Sequence, residues 1–241
     1  MNGVTAIIAA AGSGERLDAG RPKALVEVAG RPLLAWSLAA FAAAPDVDAA
    51  VIAAPPAHEG EIEAAAQAAS GGLLLTVVSG GATRAESVAA ALEHVKTELV
   101  AVHDAARPLV TVELIEALVA KLRDRPDAAG VIAAAPLTDT VKRAREPRPA
   151  KGEFPRGGPT VAKTESRDHL WAAQTPQVFR TAALREAHSQ DPRRLRAATD
   201  DAMLVEKAGG KVLIEPAPAE NLKVTTAIGL RLADLWLAGR T

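Results

Sequence analysis

Apolar residues along this chain fall into short continuous runs separated by polar, glycine- or proline-bearing stretches. The first run ends at Ile7-Ile8 and enters the turn Ala9-Ala10-Ala11-Gly12-Ser13-Gly14. Pro32 to Ala44 then has apolar residues at helical spacing behind an opening proline, which predicts a helix. Asp48 to Ala54 reads as a buried strand stopped by Pro55-Pro56, and His58 to Ala69 as a polar-faced helix. After the Gly71-Gly72 break, Leu73 to Val78 reads as another strand. Further alternation follows: a helix over Val88 to Val95, a strand over Leu99 to His103, a helix over Val112 to Leu122 and a strand over Ala128 to Ala134. Strands that alternate with helices in this way predict an α/β, Rossmann-like fold with a mostly parallel, doubly wound sheet and right-handed crossovers.

The rhythm breaks between Lys142 and Arg167. Eight Lys/Arg stand there against three Asp/Glu, punctuated by prolines 147, 149, 155 and 159. Such a stretch is no βαβ crossover and predicts a projecting β-arm with a proline-rich tip. The expected organisation is one α/β unit over 1–136 and 170–241, with residues 137–169 inserted as the arm. Beyond it, Leu170 to Phe179 reads as an extended segment, followed by a helix from Thr181. Thr199-Asp200-Asp201-Ala202 caps a second helix, Lys211 to Glu215 is a late strand, and Ala227 to Leu237 is a terminal helix.

Composition removes several classes of chemistry. The 241 residues contain no cysteine, which excludes disulfides, thiolate metal sites and thiol nucleophiles. A formal charge of −1 gives no global sign of nucleic-acid or membrane binding, although residues 1–120 sum to −7 and residues 121–241 to +6. Basic residues without interleaved aromatics are a weak nucleic-acid signal. No apolar run reaches the ~18–20 residues needed to span a bilayer, and the N-terminus lacks the regions of a signal peptide. The expectation is a soluble, cytoplasmic protein with no fused second enzyme.

Candidate chemistry lies in the loops that follow the strands. Small residues from Ala10 to Gly14 let backbone approach an anion, and Arg16 and Lys23 add charge, with Pro22 fixing where Lys23 emerges. Leu17 replaces the third glycine of a dinucleotide fingerprint, and no Gly-Lys-Ser/Thr closes a Walker loop. A second loop, Ser79 to Ser87, offers Gly80 and Gly81 as bare backbone and the Ser87 hydroxyl, while Thr83 with Glu86 also reads as a capping box. Asp104 at a strand end is placed for a metal or a ribose and Arg107 for a phosphate, although such a pair taken alone is more often a local ion pair. Lys223, just ahead of the last helix, is unhelpful to that helix and so suited to a ligand.

Taken in order, AAAGSGER, RPK, SGGATRAESV, VHDAARP, APLTDTVKR, AAQTPQVF, TDDAMLVE and NLKVTT resemble the 2-C-methyl-D-erythritol 4-phosphate cytidylyltransferases of the non-mevalonate isoprenoid pathway. The likeness runs from Val4 to Leu232. It implies a nucleotidyltransferase-type fold, the substrates CTP and methylerythritol phosphate, Mg²⁺, and a homodimer. By matching positions, Arg16 and Lys23 would stabilise the transition state at the α-phosphorus. Ala10, Ala11, Gly12, Gly14, Gly80, Gly81 and Ser87 would hold the nucleotide, and Asp104 and Ala105 its ribose, with Asp104 also near the metal. Arg107, Thr140, Arg167, Thr199 and Lys223 would position the acceptor, with Thr140 and Arg167 coming from the arm of a second subunit. Two positions depart from the pattern: Ala82 stands where some members have aspartate, and Gly229 where an acidic residue commonly opens the last helix. A cytidylyltransferase acting on ribitol 5-phosphate is the nearest alternative, and a non-catalytic nucleotide-binding protein a more distant one.

Overall fold

A computed structural model describes residues 3–12, 20–145, 158–190 and 192–239. Seven strands form the central sheet. β1 (Val4–Ala9) is followed by a single 3-10 turn, Lys23–Leu25, and a small hairpin of β2 (Glu27–Val28) and β3 (Arg31–Pro32). The chain continues through α1 (Leu33–Ala43), β4 (Val47–Ala54), α2 (Glu59–Gln67), β5 (Leu74–Ser79), α3 (Arg84–Leu92), β6 (Leu99–Asp104), α4 (Val112–Arg123) and β7 (Gly130–Pro136). The arm is a hairpin of β8 (Lys142–Arg145) and β9 (Thr160–Thr164), whose strand residues are all exposed. β10 (Trp171–Arg180), α5 (Thr181–His188), α6 (Pro192–Arg196), α7 (Asp201–Lys207), β11 (Val212–Pro216) and α8 (Ala227–Ala238) complete the chain.

The sheet order is β11-β7-β10-β6-β1-β4-β5. All neighbouring pairs are parallel except those of β10, which runs antiparallel to both β6 and β7. β10 and β7 are the two legs of one long hairpin, because Trp171 pairs with Pro136 and the Leu137 amide donates to the Leu170 carbonyl at 3.1 Å. Residues 138–145 and 158–169 therefore extend from the carboxyl end of β7. The arm was expected; the antiparallel strand it returns into the middle of the sheet was not.

Alternation along the strands divides the core between two faces. Val4, Ala6 and Ile8 pack with Leu34, Leu38 and Phe41 of α1, Ile62 of α2 and Leu118 of α4. Ile7, Val51 and Val100 pack on the other side with Val88 of α3, Leu184 of α5 and Val205 of α7. Because both faces are covered, the strands can be apolar at consecutive positions, which is why they read as uninterrupted runs. α8 is docked separately: Ala233 and Leu237 pack on Val26, Val28 and Leu33, and Asp234 accepts the Ala29 amide at 2.7 Å.

Helix α3 begins at Arg84, not at Val88. The capping box is fully formed, with the Thr83 hydroxyl accepting from the Glu86 amide and the Glu86 carboxylate accepting from the Thr83 amide. Its first turn is polar because it faces a cavity, so apolar periodicity starts a turn too late to mark it. Gly229 does not spoil the last helix, since its amide donates to the capping Thr226 hydroxyl. Among the described residues no helix is long and apolar enough to cross a membrane.

Candidate active site

The order in which strands are added reverses around β1. β4 and β5 are laid down on one side of it, and α3 then carries the chain back to β6 on the other. Ligands in open α/β sheets sit at such a switch point, outside the carboxyl ends of the strands. Two cavities open there. The larger, about 380 Å³, is lined by Ala10, Ala11, Gly12, Lys23, Gly81, Ser87, Asp104 and Ala105. A second of about 250 Å³ is lined by Arg107, Gln174, Thr175, Thr199 and Asp200. Arg84, Asp104 and Lys223 line both, so they form the partition where the two meet.

The loops that line the larger cavity are shaped by close packing. A Cβ on Gly80 would lie 2.5 Å from the Ala11 Cβ and 3.0 Å from the Ala54 carbonyl, and one on Gly81 would lie 2.5 Å from the Glu86 Cβ. The two glycines thus let the second loop press against the first. Several amides there are already committed. Ala10 donates to Ala53 at 3.0 Å, Gly80 to Ala54 at 2.7 Å and Ala105 to Ala9 at 3.2 Å. Gly81 donates to the Ser87 hydroxyl at 3.1 Å, and that hydroxyl donates to the Thr83 carbonyl at 2.9 Å. These positions therefore offer contact surface and carbonyls in place of free N–H groups. Lys23 enters from the turn behind Pro22, which has φ −51°.

Asp104 stands at the centre. Its Oδ1 accepts from Arg84 Nε at 2.8 Å, and its Oδ2 pairs with Lys223 Nζ at 2.7 Å. Burial opposes its charge, but the two cations hold it far below the usual carboxylate range. Behind it the buried His103 accepts at Nδ1 from the Thr175 hydroxyl (3.2 Å) and donates from Nε2 to the Arg107 carbonyl (3.2 Å). Thr175 in turn accepts the Asp104 amide at 3.0 Å. This relay fixes the loop between Asp104 and Arg107.

Lys223 is positioned by its neighbours. Asn221, fully buried, donates to the Gln174 side chain at 2.8 Å and the Thr175 carbonyl at 2.9 Å. Its own carbonyl accepts Arg107 Nη1 at 2.7 Å, and the Val224 amide donates to Ala106 at 2.8 Å. The β10 side of this staple is a bulge: Ala173 faces Ala134 and Gln177 faces Ile132, so residues 174–176 leave the ladder and Gln174 and Thr175 turn toward the smaller cavity. Arg107 has its pKa lowered by burial, and its Nε is buried without a partner among the described residues.

The structure brings together Ala10, Ala11, Gly12, Lys23, Gly81, Ser87, Asp104, Ala105, Arg107, Thr199 and Lys223. Gly80 lies behind the lining, packed on Ala11 and Ser87. Gly14, Arg16 and the arm tip 146–157 lie outside the described residues. Thr140 and Arg167 are exposed on the arm and line neither cavity, with Arg167 donating to the Thr138 carbonyl. The sequence reading missed Arg84, Gln174, Thr175, Asp200 and Asp201. Arg84 carried the same signal as Lys223, a cation at the wrong end of a helix.

A family model described as 2-C-methyl-D-erythritol 4-phosphate cytidylyltransferase matches residues 4–239. Curated proteins of that name from Streptomyces coelicolor and a Synechococcus strain are similar at 43% and 40% identity. They align with 98% and 97% of this chain and with 85% and 99% of their own lengths. Among solved structures, the 2-C-methyl-D-erythritol 4-phosphate cytidylyltransferase of Thermus thermophilus superposes with TM-score 0.74 at 34% identity over 98% of this chain and 99% of its own. The 4-diphosphocytidyl-2C-methyl-D-erythritol synthase of Anaerococcus prevotii does so with 0.78 at 27% identity over 98% and 96%. With its switch-point cavities and this unbroken match, the chain belongs to the 2-C-methyl-D-erythritol 4-phosphate cytidylyltransferase family.

Proposed function

We propose that the protein joins CTP to 2-C-methyl-D-erythritol 4-phosphate, yielding 4-diphosphocytidyl-2-C-methyl-D-erythritol and diphosphate for isoprenoid precursor synthesis. An oxygen of the acceptor phosphate attacks the α-phosphorus of CTP. The bond from that phosphorus to the oxygen bridging to the β-phosphate breaks, and diphosphate leaves with the electron pair. A phosphate monoester dianion is already nucleophilic, so no general base is needed, and catalysis reduces to alignment and charge neutralisation.

In this reading CTP occupies the larger cavity, against Ala10, Ala11, Gly12, Gly14, Gly81, Ser87 and Ala105, with Gly80 packed behind them and with Arg16 and Lys23 on the α-phosphorus. The acceptor occupies the smaller one, held by Arg107, Thr199 and Lys223. Thr140 and Arg167 complete its site from the arm of a second copy, making the enzyme a homodimer; their exposure on the arm, away from both cavities of their own chain, supports this. The observation that carries the proposal is that the two cavities meet at one ionised carboxylate flanked by cations. The unpartnered Arg107 Nε suits an anionic ligand in the smaller cavity.

Magnesium fits this donor set. Among the described residues no group of three or more His, Cys, Asp or Glu converges. An ion would rest on Asp104 and the nucleotide's own oxygens, the one- or two-carboxylate pattern usual for Mg²⁺ at phosphates. When bound it would neutralise polyphosphate charge. The ribitol 5-phosphate alternative is not favoured, since the family model and the relatives carry the methylerythritol name. The test is diphosphate release with Mg²⁺ and each of the four nucleoside triphosphates, against methylerythritol phosphate and ribitol 5-phosphate. CTP with methylerythritol phosphate should be the productive pair; silence there, with turnover of another pair, overturns the assignment.

A further inference from the structure

Arg84 is the first residue of α3, where a cation opposes the helix dipole. Its side chain, one quarter exposed, forks between two carboxylates: Nε to Asp104 at 2.8 Å and Nη1 to Asp201 Oδ2 at 2.6 Å. Asp201 is fully buried, opens α7, and also receives His188 Nε2 on Oδ1 at 3.0 Å. The residues just before it, Thr199 and Asp200, line the smaller cavity, while the loop just before Arg84 lines the larger one. One guanidinium thus joins the loop of the larger cavity, the central carboxylate and the helix that follows the threonine of the smaller cavity.

This cluster is not arranged for stability alone. Buried ion pairs lose much of their attraction to desolvation. Here Arg84 Nη2 and His188 Nδ1 are also buried without hydrogen-bond partners among the described residues, a further cost. An apolar filling would serve the core better, so the network's position at the boundary of the two cavities suggests a functional role.

We propose that Arg84 is a positioning residue for the transfer, fixing the span between Asp104 and the start of α7 so that Thr199 and Asp104 meet the two substrates in register. The inference rests on the function proposed above. It requires arginine, because only a planar fork holds two carboxylates at fixed separation, whereas a lysine ammonium reaches one or the other.

The test compares wild type, Arg84→Lys, Asp201→Asn and the double variant, with CTP binding measured by calorimetry and acceptor kinetics by diphosphate release. Arg84→Lys should lower kcat/KM for the acceptor about 10–100-fold, the range for misplacing a substrate by a fraction of an ångström to an ångström, with a clearly smaller loss of CTP affinity. Asp201→Asn should show the same split. The double variant should be no worse than the poorer single one, because both cut the same tie. Acceptor kinetics within twofold of wild type in Arg84→Lys would overturn the proposal. So would equal losses of CTP and acceptor parameters that follow a fall in Tm, or multiplicative losses in the double variant. Wild type run in parallel separates the two levels: if it releases no diphosphate from CTP and methylerythritol phosphate, the underlying function fails instead.

Discussion

Lowering the pH from 8 to 5 is expected to remove about 2 kcal/mol of folding stability through one imidazole, that of His103. The ring is fully enclosed, in edge contact with Phe41, and burial pushes its pKa down from 6.5 to about 4 despite the nearby Asp104 carboxylate and Arg107 carbonyl. In the unfolded chain it regains its ordinary value. As pH falls the unfolded state therefore binds the proton first, and stability drops between about pH 6.5 and 4, then levels off. At roughly 1.4 kcal/mol per unit the whole window is worth about 3 kcal/mol, of which about 2 is gone by pH 5. Asp104 and Asp201 have depressed values, so their stabilising effect is lost only as pH falls further, below the ordinary aspartate range. The upper window is thus free of them.

The measurement is urea unfolding at pH 8, 6.5 and 5 for wild type and His103→Gln. Glutamine retains a donor for the Arg107 carbonyl but does not titrate. The variant should be less stable at pH 8, having lost the ring's packing, yet change less with pH. The gap between the proteins should narrow by about 2 kcal/mol at pH 5. Parallel pH profiles, within about 0.5 kcal/mol, would refute the claim that a buried neutral imidazole holds the loop from Asp104 to Arg107.

Lys23→Ala should lower kcat by about 10²–10³, as for removal of one group that meets developing charge, with Tm nearly unchanged; near-normal turnover would remove Lys23 from the chemistry. Gly80→Ala should cost about 1–3 kcal/mol by overpacking against Ala11 and Ala54 and should weaken CTP binding, read by denaturation and calorimetry. Replacing 142–164 with a short turn should yield a monomer by sedimentation and raise the acceptor KM. A monomer with full activity would contradict the shared site.

The strands were legible because a sheet covered on both faces writes its strands as apolar runs, and the helices because of apolar spacing and, for α7, the cap at Asp200. Errors arose where local signals are weak. The β2–β3 hairpin has two residues per strand and turns through Ala29 at φ 45° and Gly30 at φ 71°, an unusual choice that no turn rule singles out. The strand β10 was visible, but its antiparallel place between β6 and β7 depends on pairings that no local pattern encodes. Ala10, Ala11, Gly12 and Lys23, which line the larger cavity, could be picked out as small residues and a cation around a strand-end loop. Asp201 could not: a carboxylate at a helix start reads as a cap, and its partner Arg84 lies 117 positions away.

Asp104 therefore has two different cationic partners, and the difference bears on how a neutral junction can receive charge. Arg84 and Lys223 balance Asp104 and Asp201, so the partition carries no net charge before substrates arrive. Pulling Arg84 away would strand Asp201, which has no exposure to water and keeps only His188. Lys223 is 41% exposed, and its ion pair with Asp104 is the kind that solvent already weakens. Under the function proposed above, an arriving phosphate would draw Lys223, the more exposed cation, while Arg84 keeps Asp104 in place. That would leave Arg84 alone against Asp104 and Asp201, a formal charge of −1, with one Asp104 oxygen open toward the larger cavity. The enclosed cation thus suits holding the geometry, and the solvent-facing one suits meeting the incoming phosphate.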